Sequence, residues 1–145
     1  MDELDRSILG CLLRNARATY AEIGDEVNLS APAVKRRVDR LLRSGAIRGF
    51  TALIDPTVFG WQTEAYVEVY CKGTVSPEEL RRSLEAVPEV VEASTISGAA
   101  DALVHMLAAD VQHLEQALER IRDERNVDHT ESVIVLSRLV NRPRS

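Results

Sequence analysis

Apolar residues recur at helical spacing through the first third of the chain. Leu4, Ile8, Leu9, Leu12 and Leu13 form one stripe and predict a helix from about Leu4 to Arg14. Ile23 and Val27 mark one face of a second helix, opened by Thr19 with Glu22 three residues later in capping-box spacing. Asn28-Leu29 reads as a tight turn, since Asn tolerates a left-handed backbone better than most residues. Ser30 is placed to cap a third helix, and Pro32 falls in its first turn, where a missing N–H costs little. Val34, Val38, Leu41 and Leu42 then follow as a buried stripe, and Ser44-Gly45 ends the helix. The second and third helices with their short connection are a helix-turn-helix.

The period then shortens. Ile47 to Asp55, IRGFTALID, is rich in β-formers and reads as a strand or short hairpin, the wing of a winged helix-turn-helix. Pro56 and Gly60 break it, so residues 56–60 read as a hinge between a domain over 1–55 and a second over 61–145. Ala65, Val67 and Val69 alternate with Glu64, Tyr66, Glu68 and Tyr70 as a strand. Ser76 opens a helix that runs to about Val87. Val90 to Ser97 and Asp101 to Ala109 read as two strands around the turn Gly98-Ala99-Ala100. Asp110 caps a helix to about Arg125 with Val111, Leu114, Leu118 and Ile121 inward, and Val127 to Val140 reads as a last strand. The order is βαββαβ, a ferredoxin-like unit, and the whole chain is of the α+β class. The strand after Asp101 is apolar on both faces, with Ala102, Val104, Met106 and Ala108 on one and Leu103 and Leu107 on the other. Two helices cover one face, so the other predicts a second copy of the sheet.

Composition narrows the classes. The 145 residues are 45% hydrophobic and 28% charged, and no apolar run approaches a membrane span. The N-terminus MDELDRSIL starts acidic and turns amphipathic, unlike a signal peptide. Two isolated cysteines, Cys11 and Cys71, make no disulfide framework and suit a reducing cytoplasm. The net charge is −5, yet residues 1–50 hold nine Lys and Arg against seven Asp and Glu. That local surplus concentrates on the third helix, the footprint of a nucleic-acid contact. At 100° per residue Pro32, Ala33, Arg36, Arg40 and Arg43 fall opposite the buried stripe, flanked by Lys35 and Arg37. Double-stranded DNA is the expected partner. Pro32, Ala33, Arg36 and Arg40 would meet base edges, and Lys35, Arg37 and Arg48 would sit on phosphates, with Ser30 and Arg43 completing the candidate DNA-binding set.

Several stretches carry a resemblance. LDRSIL from Leu4, NLSAPAVKRRVDRL from Asn28, GAIRGFTALIDP from Gly45 and SGAAD from Ser97 are similar to the signature segments of the Lrp/AsnC family of feast/famine regulators, across nearly the whole chain. The resemblance implies a cytoplasmic, nucleoid-associated transcription regulator. It implies dimers formed through the C-terminal domain, often octamers of four dimers, and an amino acid bound between dimers near a Gly-x-x-Asp turn. Here that turn is Gly98, Ala99, Ala100 and Asp101. The family often carries an acid where this chain has Ala99 and a larger residue where it has Ala102. Asp101 is suited to an α-ammonium and the turn's backbone N–H groups to a carboxylate. Equally, Asp and Gly are turn residues, and Asp101 would serve to hydrogen-bond local backbone. Thr130 and Ser132 are further pocket candidates on the last strand, or simply a partly exposed strand face. Small Ala99 and Ala102 leave room for a bulky apolar or aromatic ligand side chain.

Other chemistry is sparse. His105, His113 and His129 share no metal-ligand spacing, and His105 reads as a satisfied core histidine. Nucleophile, phosphate-loop and paired-carboxylate motifs are missing, so neither an enzymatic role nor a cofactor is expected. Trp61 reads as an anchor of the interdomain joint. Two other classes compete with a sequence-specific regulator. An architectural protein that wraps DNA with little preference would use the same basic helix. An enzyme, or an enzyme's regulatory subunit, would use the same ferredoxin-like fold.

Overall fold

The N-terminal helices form where the local signals place them. In the computed structural model, which describes residues 1–141, α1 spans Glu3–Arg14, α2 Tyr20–Val27 and α3 Ala31–Arg43. Asp2, Thr19 and Ser30 cap them, the first two through reciprocal capping boxes. Asn28 follows α2 in the left-handed region at φ 56°. The turn is tighter than Asn28 alone requires. A Cβ on Gly24 would lie 2.3 Å from the Leu29 carbonyl oxygen, and the Leu29 N–H closes back onto the Gly24 carbonyl at 2.9 Å. Only a residue without a side chain lets α2 and the start of α3 approach this closely.

Ile8, Cys11, Ile23, Val34 and Val38 form the first core, with Leu12, Ala18, Val27, Leu29 and Ile47 packed around it. Leu41 is buried as well, whereas Leu4, Leu13 and Leu42 of the predicted stripes are exposed. The inward line of α1 runs through Asp5, Ile8, Cys11 and Leu12 instead, which makes a carboxylate part of the interior.

The predicted wing is not a strand. Ile47 to Asp55 makes no ladder among the described residues, and Phe50, Leu53 and Ile54 stand exposed. An extended segment becomes a strand only when another lies beside it, and the described residues supply none there. Pro56–Phe59 is a single 3-10 turn capped by Asp55 and closed by Gly60 at φ 82°.

The remaining elements are β1 Thr63–Cys71, α4 Pro77–Glu85, β2 Val90–Thr95, β3 Ala102–Ala108, α5 Val111–Arg122 and β4 Val127–Ile134. They form the βαββαβ unit with strand order β2-β3-β1-β4, every pair antiparallel. Val67 lies opposite Val104 on one side and Ser132 on the other. β4 ends well before Val140. Its partner β1 begins at Thr63, so the Val135 N–H to the Glu64 carbonyl is the last rung.

Leu80 and Leu84 of α4 and Leu114, Ala117, Leu118 and Ile121 of α5 pack on Ala65, Val67, Val69, Ala102, Val104, Met106 and Ala108. Val111, expected inward, is the first residue of α5 and is exposed. Buried Glu89 accepts from Arg120 at 2.6 Å and meets His113 Nε2 at 2.7 Å. The Ala109 N–H donates to His113 Nδ1, which leaves the ring proton on Nε2, facing Glu89. Trp61 lies tilted beside His113 at 5.9 Å.

The opposite sheet face is left uncovered by the described residues. Tyr66, Leu103 and Val133 are exposed on it. Tyr66 stacks on His105 at 4.7 Å and Tyr70 on His129 at 4.2 Å. His105 is therefore no core histidine. It is half-buried on this open face, with Nε2 2.6 Å from Glu64. Contacts divide the chain into one unit containing Met1–Leu53 and another of Ile54–Val140.

Gly24→Ala should strain the turn between α2 and α3 against backbone that has nowhere to go, destabilising the first unit by about 1–3 kcal/mol. Amide exchange checks this: protection should fall within Met1–Leu53 and hold in β1 and β3. Unchanged protection in α2 and α3 would show that the close approach is not restrictive.

Candidate nucleic-acid interface and ligand-binding turn

The exposed side of α3 does not present its cations equally. Ser30 uses its hydroxyl on the Ala33 N–H at 3.4 Å, Pro32 is exposed and Ala33 half-buried. Lys35 reaches Asp39 at 2.6 Å, one turn along the same helix. Arg36 is exposed and forms no ion pair among the described residues. Arg43 donates from Nε to the Asp39 carbonyl at 3.3 Å. Arg48, beyond the helix, is exposed.

Arg37 and Arg40 turn instead towards the start of α1. Arg37 Nη1 donates to Asp2 Oδ2 at 2.7 Å and to Asp5 Oδ1 at 2.8 Å. Arg40 Nη2 donates to both oxygens of Asp5, each at 2.8 Å. Asp5 is fully buried. It also accepts the Asp2 N–H at 3.0 Å, and its own N–H donates to Asp2 Oδ1 at 2.8 Å. The Asp2 N–H, then the Arg37 and Arg40 guanidiniums, hold the Asp5 carboxyl at about 2 against the opposing effect of burial. Sequence reasoning missed this residue. Its signal was an acid three positions before Ile8, on an otherwise apolar line, in a protein whose third helix is rich in arginine.

The turn between β2 and β3 is tied to the end of β1. The Asp101 N–H donates to the Val69 carbonyl at 2.9 Å, and its carboxylate Oδ2 accepts the Cys71 N–H at 2.7 Å. Asp101 and Ala99 are exposed, while Ala100 is buried. Ala102 is buried among the core residues, so it leaves no room for a ligand. A Cβ on Gly98 would meet open space. Burial, then the Asp101 carboxylate, pushes the Cys71 thiol up. Thr130 and Ser132 are not brought to this turn within the chain. They pair with Val69 and Val67 from the other side of β1, and the Thr130 hydroxyl accepts from Arg122 Nε at 2.9 Å.

A capped helix-turn-helix with an arginine on its outer face, followed by a ferredoxin-like unit with one open sheet face, is the plan of a DNA-binding regulator with a second, sensing domain. The family comparisons agree. Residues 1–42 match the AsnC-type helix-turn-helix domain, and residues 64–145 match the Lrp/AsnC ligand binding domain. The chain belongs to the Lrp/AsnC family of transcriptional regulators. It is 54% identical over 142 residues to the HTH-type transcriptional regulator Rv2324 of Mycobacterium tuberculosis, covering 98% of this chain and 96% of the relative. The structure of Escherichia coli AsnC superposes with a TM-score of 0.92 at 26% identity, over 99% of this chain and 97% of that one. A feast or famine regulatory protein from M. tuberculosis, solved with L-methionine, superposes at 0.91 with 30% identity over 99% and 97%.

Asp5 gives the first unit a defined acid sensitivity. Its folded pKa lies below the ordinary value of 3.8, so its stabilisation is complete above 3.8 and lost as pH falls towards about 2. Denaturant unfolding followed through α1 and α3 should show stability dropping across that window. Asp5→Asn should remove that part of the pH dependence; a variant with the wild-type profile would place the acid sensitivity elsewhere.

Proposed function

We propose that this regulator reads DNA with the exposed side of α3 and senses an amino acid at the turn from Ser97 to Asp101, working as a symmetric assembly of identical chains. The observation that carries the DNA reading is Arg36. It stands exposed and without an acidic partner among the described residues, on a helix whose opposite side is locked into the core by Val34, Val38 and Leu41. A guanidinium in that position suits a bidentate contact to a guanine edge. Ser30, Pro32 and Ala33, at the start of α3, share the approach. Lys35, Arg43 and Arg48 suit phosphates, Lys35 by exchanging Asp39 for a phosphate oxygen. Arg37 and Arg40 already have partners in Asp2 and Asp5.

Symmetry follows from the open sheet face. Its exposed Tyr66, Leu103 and Val133 support burial against the same face of a second copy. A dimer presents two α3 helices to half-sites a whole number of helical turns apart. An octamer of four such dimers would bring several α3 pairs to one stretch of DNA. None of the described helices is long and apolar enough to cross a membrane, and the regulator acts on cytoplasmic, nucleoid DNA.

The effector reading rests on the exposed Asp101 and on Gly98. Neither the backbone nor a neighbouring atom among the described residues requires glycine at 98, which supports approach by something outside them. The ligand's ammonium would meet Asp101 and its carboxylate the backbone N–H groups of the turn. Exposed Ala99 leaves space for an apolar side chain beside it. L-Methionine in a structural relative supports the same ligand class.

Two measurements test this reading. With a duplex recovered by selection from a random library, Arg36→Ala should cost about 1–3 kcal/mol and relax preference at one base pair. Equal binding to selected and random DNA by the wild type would favour an architectural role instead. Calorimetry against the standard amino acids should find at least one ligand, bound about tenfold or more weakly by Asp101→Ala because a charge-assisted bond contributes roughly 1.5–3 kcal/mol. Equal affinity in that variant, or no heat from any amino acid, would leave the turn a structural element only.

A further inference from the structure

Among the charged clusters of the molecule, the one at the start of α1 has a consequence for recognition. Four ionised side chains meet there. Arg37 Nη1 contacts Asp2 Oδ1 at 3.0 Å, Asp2 Oδ2 at 2.7 Å and Asp5 Oδ1 at 2.8 Å. Arg40 Nη2 forks onto both oxygens of Asp5 at 2.8 Å. Asp5 is wholly buried and its oxygens are fully engaged, by the two arginines and the Asp2 N–H. Within the group two positive charges cancel two negative ones.

The cost of breaking this group falls on Asp5. If Arg37 and Arg40 moved to DNA phosphates, a carboxylate with no exposed surface would lose its counter-ions. Removing the partner of a buried charge is among the most destabilising changes a protein undergoes. Asp2 and Asp5 would also face the approaching phosphates as uncompensated anions. Both arginines are thus held on α1 when DNA arrives. Lys35 is paired with Asp39, so Arg36 and Arg43 are the cations of α3 left without an acidic partner among the described residues. Phosphate contacts add affinity for every sequence alike, whereas a base contact adds it for one. Keeping two arginines of the reading helix off the backbone removes affinity that every sequence would share, and the clamp that does so fixes α3, and Arg36 with it, against α1.

We propose that Asp5 is a positioning residue for DNA discrimination: it clamps α3 to α1 through Arg37 and Arg40 and keeps both guanidiniums away from phosphates, leaving Arg36 to read. The assignment rests on the DNA reading given above. It predicts the opposite of what a count of exposed cations predicts, since Arg40, on the basic side of α3, contributes nothing to counter-ion release.

The test uses the full chain and two duplexes of equal length, one of random sequence and one recovered by selection, titrated over salt. Each phosphate contact adds about 0.9 to the slope of log affinity against log salt. Arg36→Gln should lower affinity for the selected duplex tenfold or more. Arg40→Gln should leave the salt slope on random DNA unchanged. Asp5→Asn should steepen that slope by about one to two per subunit as the arginines are freed, raise random-duplex affinity severalfold and, because α3 is no longer clamped behind Arg36, shrink the ratio between the duplexes. Asp5→Glu, which keeps the charge, should restore the wild-type slope. A slope lowered by about 0.9 per subunit in Arg40→Gln would place Arg40 on a phosphate and overturn the assignment. So would an Asp5→Asn protein that loses affinity for both duplexes equally with an unchanged slope, the signature of a purely structural role. If Asp5→Asn does not fold, the Arg40→Gln slope decides alone. A wild type that binds neither duplex, or an Arg36→Gln protein indistinguishable from it, overturns the DNA reading itself.

Discussion

The contact between Gly24 and the Leu29 carbonyl sets the geometry on which the N-terminal unit depends. With no Cβ at position 24, the end of α2 and the start of α3 come together at backbone distance. Asn28 supplies the one left-handed non-glycine residue of the described chain at that corner. The angle so fixed brings Val34 and Val38 into contact with Ile8 and Ile23. It also carries Arg37 and Arg40 to the start of α1, where Asp5 meets them. A wider turn would separate those side chains and leave a buried carboxylate without its counter-charge. Turn, core and charge cluster are in this sense one arrangement, and the exposure of Arg36 is what remains once it is satisfied.

In the second unit the organising constraint is a sheet covered on one face only. Ala65, Val67, Val69, Val104 and Met106 point into the two helices, and the alternate positions necessarily point the other way. Those positions hold Tyr66, Leu103 and Val133 together with His105, His129, Glu64 and Glu68. The face is neither a core nor an ordinary charged surface. Two ring stacks and the Glu64 contacts with His105 and Arg138 order it within a single chain. The same face is apolar enough to favour covering. The exposed segment from Ile47 to Ile54 has a related character, β-forming residues without a strand beside them. Both are regions where the described residues lack the neighbour that the pattern anticipates.

The candidate sensing turn combines two roles that sequence reasoning had set against each other. Asp101 does hydrogen-bond local backbone, through the Cys71 N–H, and it is also exposed. A carboxylate has two oxygens, so one contact with the end of β1 orients the group without exhausting it. Thr130 and Ser132 lie across β1 from that turn, so a pocket uniting all of these residues needs a contribution from another copy.

What the sequence determined by itself was most of what local spacing governs. The caps at Thr19, Ser30, Ser76 and Asp110, the helical stripes and the period-two strands are readable because hydrogen-bond partners and facing side chains lie within a few residues of each other. The family likeness, the α+β class and the order βαββαβ followed from the same signals. What only the tertiary structure decided were relations between distant residues. The helical wheel put Arg36 and Arg40 on one side of α3, but a wheel does not know that α1 lies against that side, so Arg40 went to Asp5 and Arg36 did not. Asp5 carried a local hint as an acid on an otherwise apolar line, but its burial was decided by two arginines more than thirty positions away. The wing and the C-terminal end of β4 failed for the matching reason. A strand is defined by its neighbour, and β-propensity records a residue's fitness to pair without recording whether the chain provides a partner.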